Sequence, residues 1–161
     1  MSKYFKISEL CKSASHPKLA HLPEKNSKEE SNLLALMVQL DKIREKFGKP
    51  VYVSSGYRPE ALNKAVGGAK NSLHKQAAAA DIYSKDGYAD NVNLLKAVLD
   101  SGVVIDELIA EYAKFDKDGQ LVSCQWVHYA FLDGKIQKQP MWFDGAKYHP
   151  LKVKNNWLFC K

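Results

Sequence analysis

The chain has 161 residues, of which 45% are hydrophobic and 26% charged. This length suits one globular domain spanning residues 1–161, and the apolar fraction excludes a disordered chain because enough surface can be buried to offset chain entropy. Apolar runs stay well short of the ~18 residues that cross a bilayer, and residues 1–6 lack the apolar block of a secretion signal. We therefore expect a protein made in the cytoplasm without a signal peptide and without a membrane partner.

The net charge and the cysteine content exclude few classes of function by themselves. Lys and Arg outnumber Asp and Glu by 24 to 18, which gives a net charge of +6. No arginine-rich helix or basic motif interleaved with aromatic residues accompanies this charge, so we expect a solvated basic face and no nucleic-acid partner. Cys11, Cys124 and Cys160 have no CxxC spacing, which favours reduced thiols over disulfides or a cysteine zinc site.

A long amphipathic helix is predicted after a lead-in segment of residues 1–26. Ser27 and Glu30 have the spacing of a capping box, in which the serine oxygen accepts from a backbone amide at the helix start. Gly48 and Pro50 end the pattern. Apolar residues recur between them at helical spacing and predict one buried face, formed by Leu33, Leu36, Met37, Leu40, Ile43 and Phe47.

A strand, a loop, a second strand and a second helix are predicted next. Residues 51–54 are β-prone, whereas residues 55–72 are rich in Gly, Pro, Asn and Ser, as in a structured surface loop. Small apolar residues around Asp81 favour a buried strand that begins near Ala80. Asp90 is expected to cap a helix that ends at Gly102.

The hydrophobic period then changes to two and predicts strands at residues 107–112, 122–131 and 135–143. Turn signals at residues 116–119 and 132–134 would join them into an antiparallel meander. The predicted fold is therefore α+β, with a small antiparallel sheet flanked by helices. Its core is expected at residues 27–131, followed by a C-terminal hairpin and basic tail at residues 132–161.

Three side chains have the chemistry of a metal site. His74 and Asp81 are separated by a stretch that runs from a loop into a strand, so both can be directed at one ion. Alternation along the predicted strand directs Trp126 and His128 to one face. If that face lies beside His74, two histidines and one aspartate leave a fourth position open, which is the ligand set of catalytic zinc.

Arg58 directly follows the end of the first predicted strand. Its guanidinium fork could bind a carboxylate or a tetrahedral oxyanion at two points. The alternative is a loop arginine that braces the domain, and the sequence leaves both open.

Four ordered blocks resemble a known family. They read SGYRP at residues 55–59, ALNKAVGG at 61–68, NSLH at 71–74 with AADI at 79–82, and WVH at 126–128. Together they resemble the zinc D-Ala-D-Ala carboxypeptidase family, the LAS metallopeptidases, which share the Hedgehog/DD-peptidase fold. The resemblance extends over residues 4–131.

The resemblance implies a zinc-dependent peptidase that hydrolyses bacterial cell-wall peptides containing D-amino acids. His74, Asp81 and His128 match its zinc ligands, and Arg58 matches the arginine that binds the substrate or transition state. We further expect Tyr57, Ser72, Gln125 and Trp126 to contact the substrate. The expected partner is a peptidoglycan peptide. We expect the protein to be a monomer that reaches the cell wall by release from the cell or by delivery from a phage.

Two departures from the family pattern leave the catalytic base open. Many members have an acid three residues before the last histidine, where this chain has Gln125, which cannot accept and return a proton. Glu111 on the preceding strand is a second candidate, since cross-strand neighbours are ~5 Å apart at Cβ; it could equally be an exposed strand residue. Ala77 stands where the family often has glycine. If no acid acts as the catalytic base, the alternative is a catalytically impaired, zinc-containing module that binds the cell wall or belongs to a phage particle.

Overall fold

The structure is a computed structural model that describes residues 2–132 and 139–161. Within them the chain forms helices and strands in an α+β arrangement, as predicted. The α-helices are α1 (Ile7–Leu10), α2 (Lys28–Phe47), α3 (Glu60–Ala65) and α4 (Asp90–Asp100). The strands are β1 (Tyr52–Ser55), β2 (Ala79–Tyr83), β3 (Glu107–Glu111), β4 (Lys114–Phe115), β5 (Leu121–Ser123), β6 (Trp126–Ala130), β7 (Met141–Phe143), β8 (Tyr148–Pro150), β9 (Lys152–Lys154) and β10 (Trp157–Phe159).

Six strands form the main sheet, in the order β1-β2-β6-β3-β7-β8. Neighbours are antiparallel except β3 and β7, which are parallel. In the register across the centre, Asp81 on β2 lies opposite His128 on β6, and His128 lies opposite Ile109 on β3. This row of three residues fixes the position of the site described below.

Helix α2 begins and ends where the sequence predicts. Ser27 Oγ accepts a hydrogen bond from the Glu30 amide at 3.1 Å, whereas the Glu30 carboxylate reaches back to the amide of Asn26 at 2.7 Å. Gly48 adopts a left-handed conformation with φ of 74°, which glycine accepts without steric cost, and ends the helix. Five of the six residues of the predicted apolar face are fully or almost fully buried, namely Leu33, Leu36, Met37, Leu40 and Ile43.

The hydrophobic core lies between one face of the sheet and the helices α2 and α4. Val127 and Tyr129 of β6 are fully buried and belong to this core, together with Ile82 of β2 and Leu95 of α4. Because side chains alternate along a strand, the residues between them face away from the helices. This second face of the sheet carries His128 and Asp81.

Two local predictions need correction. Residues 55–72, expected to be a loop throughout, contain α3. Asp90 does not cap α4, because the cap position is Ala89 and Asp90 is the first helical residue. The Asp90 carboxylate instead accepts a hydrogen bond from Ser84 Oγ at 2.7 Å and pairs with Lys49 at 3.2 Å.

The predicted meander is wrong in its second half. Strand β6 has β2 on one side and β3 on the other, so neither edge of β6 remains for β7, which instead pairs in parallel with β3. The predicted strand 122–131 is interrupted by a bend at residues 124–125, which separates β5 from β6. The turn at residues 116–119 is confirmed and joins β4 to β5 in a separate two-stranded sheet. Residues 133–138 lie outside the described residues, and they include most of the predicted turn at 132–134 and the first four residues of the predicted strand at 135–143.

Both chain ends take part in the packing. Residues Phe5 and Leu10 of the lead-in are buried in the core. The described part of the segment expected to be a hairpin and basic tail contains β7 to β10, and Leu151 and Leu158 are buried. Across residues 2–132 and 139–161, helices with the length and apolar character to span a membrane are absent.

Candidate metal centre and substrate cleft

Two histidines and one aspartate converge on the face of the sheet that is turned away from helices α2 and α4. His74 lies in a short 3-10 helix, Leu73–Gln76, that leads into β2, while Asp81 and His128 face each other across β2 and β6. One ligand atom from each of the three residues lies within 4.8 Å of the others. Asp81 Oδ1 lies 3.3 Å from His74 Nε2 and 2.9 Å from His128 Nδ1. The structure thus brings the three predicted zinc ligands together; we call them the His-Asp-His cluster.

The backbone of Gly56 orients His74. His74 Nδ1 lies 2.7 Å from the Gly56 carbonyl oxygen, which can only accept, so Nδ1 carries the proton and Nε2 presents its lone pair to the cluster. Gly56 itself packs so closely against Leu10 that an added Cβ would collide with the Leu10 carbonyl oxygen. Glycine is therefore required here for close backbone approach.

Arg58 holds the other oxygen of Asp81. Its Nη2 lies 2.6 Å from Asp81 Oδ2, and its Nε donates to Ser55 Oγ at 2.7 Å. Burial alone would raise the pKa of Asp81, but the adjacent His74 and His128 outweigh burial and hold that pKa below its usual value. Asp81 is thus a carboxylate anion that is oriented through both oxygens.

The two histidines differ in charge. Burial lowers the pKa of His74, although Asp81 opposes this effect, so its imidazole is neutral. Burial would also lower the pKa of His128, but the hydrogen bond to Asp81 and the nearby carboxylate of Glu107 raise it to about 9. Two imidazole nitrogens and one carboxylate oxygen are donors that suit a zinc ion, and His128 must release its extra proton to bind one.

A cleft of about 520 Å³ opens beside the His-Asp-His cluster. Four residues predicted to be catalytic or to contact the substrate line it, namely Arg58, Ser72, Glu111 and Trp126. Ser72 Oγ also accepts a hydrogen bond from the His74 amide at 3.3 Å, which helps to begin the 3-10 helix.

Two other predicted substrate contacts lie outside the residues that line the cleft. Tyr57 is partly buried and packs against the hydrophobic core, with its ring 6.1 Å from that of His21. Gln125 is exposed, and its backbone is held by the Glu111 carbonyl and by the Asn91 side chain. It lies at the bend before β6 and is not among the residues that line the cleft.

Glu111 is a buried acid in the cleft and not an exposed strand residue. It is 8% exposed and lies opposite Trp126 at the end of β3. Burial raises its pKa to about 7, with the Asp81 charge adding to this effect and those of His128 and Arg58 opposing it. An acid that exchanges its proton near pH 7 is suited to general acid-base catalysis.

Several other residues of the cleft were not predicted from the sequence. Glu107 lies on the same face of β3 as Glu111, which the period-two alternation of the sequence already indicated. Its Oε2 lies 3.3 Å from His128 Nε2. Tyr112, Phe143 and Tyr148 extend an aromatic wall from Trp126, with successive ring centroids 5.2, 5.4 and 4.6 Å apart. The parallel pairing of β3 and β7 places Phe143 in the cleft, and no signal in the sequence predicted this pairing.

An α+β domain with this donor set beside an open cleft has the features of a metalloenzyme of the peptidase class. Comparison with known families agrees, because the sequence model of the Peptidase M15 family matches residues 3–130. The match covers most of the chain, which therefore belongs to this family of zinc-dependent metallopeptidases. Among curated proteins, none matches the chain.

Proposed function

We propose that this protein hydrolyses peptide bonds in bacterial cell-wall peptides that contain D-amino acids. The observation that carries the proposal is the convergence of His74, Asp81 and His128 within 4.8 Å beside a cleft that also contains Glu111. Membership of the Peptidase M15 family supports the metallopeptidase chemistry. The cell-wall substrate rests on the resemblance of the motif blocks to the D-Ala-D-Ala carboxypeptidases.

The cluster fits zinc by the chemistry of its donors. A zinc ion held by His74, Asp81 and His128 supplies a Lewis acid that polarises the scissile carbonyl and makes water more acidic. Gly56 keeps His74 in the tautomer with Nε2 available. Arg58 keeps Asp81 oriented through its second oxygen.

Glu111 is the proposed general base. Its carboxylate takes a proton from the attacking water and returns it to the leaving amine, a role for which a pKa of about 7 is well placed. Gln125, the residue at the position of the family's usual acid, is exposed and outside the cleft lining. The presence of Glu111 favours a peptidase over the alternative, a module that binds cell wall without cutting it.

Arg58 is the proposed partner of the negative charge that develops on the carbonyl oxygen. Its guanidinium carries several N–H donors, of which the hydrogen bonds to Ser55 and Asp81 use two. A charged donor fixed beside the reacting carbonyl stabilises the transition state more than the ground state. Ser72 and Trp126 line the same cleft and provide polar and aromatic contacts for the peptide. We propose that the protein acts as a monomer on this substrate.

The test is hydrolysis of defined peptides followed by mass spectrometry. The substrates are stem peptides ending in D-Ala-D-Ala, cross-linked cell-wall fragments, and an all-L peptide of the same composition as a control. The wild type should cleave only the peptides that contain D-amino acids. Glu111→Gln should lower the rate by roughly tenfold or more, because a positioned proton acceptor is lost.

Gln125→Glu is the matched control, since it adds an acid at a position outside the cleft lining and should leave the rate unchanged. Intact substrate after long incubation with zinc-loaded wild type, together with measurable binding, would instead identify the non-cutting module. A rate that rises in Gln125→Glu and does not fall in Glu111→Gln would contradict the assignment of Glu111.

A further inference from the structure

The ring of His128 lies between two carboxylates. Its Nδ1 is 2.9 Å from Asp81 Oδ1, on the side of the His-Asp-His cluster. Its Nε2 is 3.3 Å from Glu107 Oε2, on the opposite side of the ring. Nε2 is fully shielded from solvent and makes no hydrogen bond of good geometry. The atom is therefore a buried polar group with a carboxylate oxygen of Glu107 3.3 Å away.

A histidine that binds a metal through one nitrogen must carry its proton on the other. For His128 the nitrogen that faces the cluster is Nδ1, so the proton belongs on Nε2. A buried N–H without an acceptor costs roughly 1–3 kcal/mol, and that cost would oppose the tautomer that binds metal. His74 meets the same requirement through Gly56, whose carbonyl oxygen accepts from its Nδ1 at 2.7 Å.

Glu107 lies within reach of a hydrogen bond from this N–H. It lies on β3 two residues before Ile109, which is the direct cross-strand neighbour of His128. Its side chain is 39% exposed. It differs in this from Glu111, which is buried in the cleft and is the proposed base.

We propose that Glu107 is a positioning residue for the metal centre. Its carboxylate accepts a hydrogen bond from His128 Nε2–H, which selects the tautomer with Nδ1 free and fixes the plane of the ring. Glu107 acts through His128 and does not take part in proton transfer to the substrate. The inference rests on the proposed function only in requiring that the His-Asp-His cluster binds zinc.

The test is zinc affinity, measured by competition with a chromophoric chelator on the intact chain. Changes to the carboxylate behind a ligand histidine typically weaken metal binding by about 10- to 100-fold. Glu107→Ala should show a loss in this range. Glu107→Gln, which keeps an acceptor oxygen without the charge, should fall between Glu107→Ala and the wild type.

A second readout reports on the tautomer directly. Nitrogen-15 NMR of the zinc-loaded protein should place the His128 proton on Nε2, and its signal should show faster exchange with solvent in Glu107→Ala. Glu45→Ala is the matched control, because Glu45 is an exposed glutamate that pairs with Lys3 and does not belong to the His-Asp-His cluster. Thermal unfolding of each variant verifies that the fold is retained.

The outcomes separate this inference from the proposed function. Zinc binding by the wild type with unchanged affinity in Glu107→Ala overturns the role of Glu107 and leaves the metal centre intact. Absence of zinc binding in the wild type overturns both. Weakened binding in Glu107→Ala and intermediate binding in Glu107→Gln, with Glu45→Ala unchanged, is the predicted result.

Discussion

Asp81 and His128, 47 positions apart in the sequence, are direct cross-strand partners, and their side chains meet at 2.9 Å. The antiparallel register of β2 and β6 therefore determines whether the His-Asp-His cluster can form. A shift of one residue would turn His128 to the helix-covered face of the sheet. The same backbone pairing that buries Val127 and Tyr129 in the core thus presents the ligands on the other face.

Replacement of Gly56 should damage both stability and metal binding. In Gly56→Ala the new Cβ would collide with the backbone of Leu10, which forces the Gly56 carbonyl away from His74. We expect a loss of about 1–3 kcal/mol in the free energy of unfolding, measured by urea denaturation, and weaker zinc binding. Gly48→Ala is the control, because it strains a left-handed helix end without touching the site. Equal zinc affinity in the two variants would refute the orienting role of Gly56.

The buried acid Glu111 should destabilise the metal-free protein at high pH. Its pKa is raised to about 7 in the folded state, so the folded state holds a proton that the unfolded state loses near pH 4.5. The contribution of this proton to the free energy of unfolding is fully present below pH 4.5 and is lost as the pH rises through 7. Above pH 7, Glu111→Gln should be more stable than wild type by on the order of 2 kcal/mol.

The measurement is urea denaturation of both proteins in chelator at pH 5 and pH 8. The stability difference between Glu111→Gln and wild type should be larger at pH 8 than at pH 5. A difference that does not change with pH would show that Glu111 is not a group with a raised pKa.

Asn91 joins three backbone segments near the start of β6. Its side chain donates to the carbonyl oxygens of Cys124 and Gln125 and accepts from the Ser84 amide at 2.8 Å, and the residue is 1% exposed. Asn91→Leu leaves these buried groups without partners and should cost about 2–4 kcal/mol in urea denaturation. Asn93→Ala, on the exposed side of α4, should cost less than about 0.5 kcal/mol. Similar losses in the two variants would contradict this account.

The three cysteines should differ sharply in reactivity. Burial raises the pKa of the Cys11 thiol to about 11 and that of Cys124 to about 12, while Cys160 is only partly buried. Since the thiolate is the reactive form, only Cys160 should react with a disulfide reagent in the folded protein at pH 8. All three should react after unfolding. Rapid modification of Cys124 in the folded protein would show that its segment opens more easily than its burial implies.

The sequence predicted the elements whose signals are local. The capping serine and apolar face of α2 lie within one stretch of chain, and so does the alternation that directs His128 away from the core. Asp81 follows His74 closely enough that a turn must bring them together. These local signals singled out His74, Asp81 and His128, and the family resemblance assigned them as zinc ligands. Ala77, with φ of 54°, shows why glycine is favoured at that turn.

What the sequence missed depends on long-range pairing. Nothing in residues 141–143 indicates that β7 lies parallel to β3, and this pairing completes the aromatic wall. The meander was inferred from a turn signal after β6, yet β2 occupies the edge of β6 that the meander required. Glu107 was overlooked because its role depends on the direction of the His128 ring, which only the assembled site defines.

The most direct test of the account is the zinc content of the purified protein, measured by elemental analysis. We predict about one zinc ion per chain, the stoichiometry of a single three-ligand site. His74→Ala should lose the metal, whereas His149→Ala should keep it, since His149 lies on β8 and pairs with Asp144 outside the cluster. A wild type without zinc, or a His74→Ala variant with the same zinc content as wild type, would contradict the central claim.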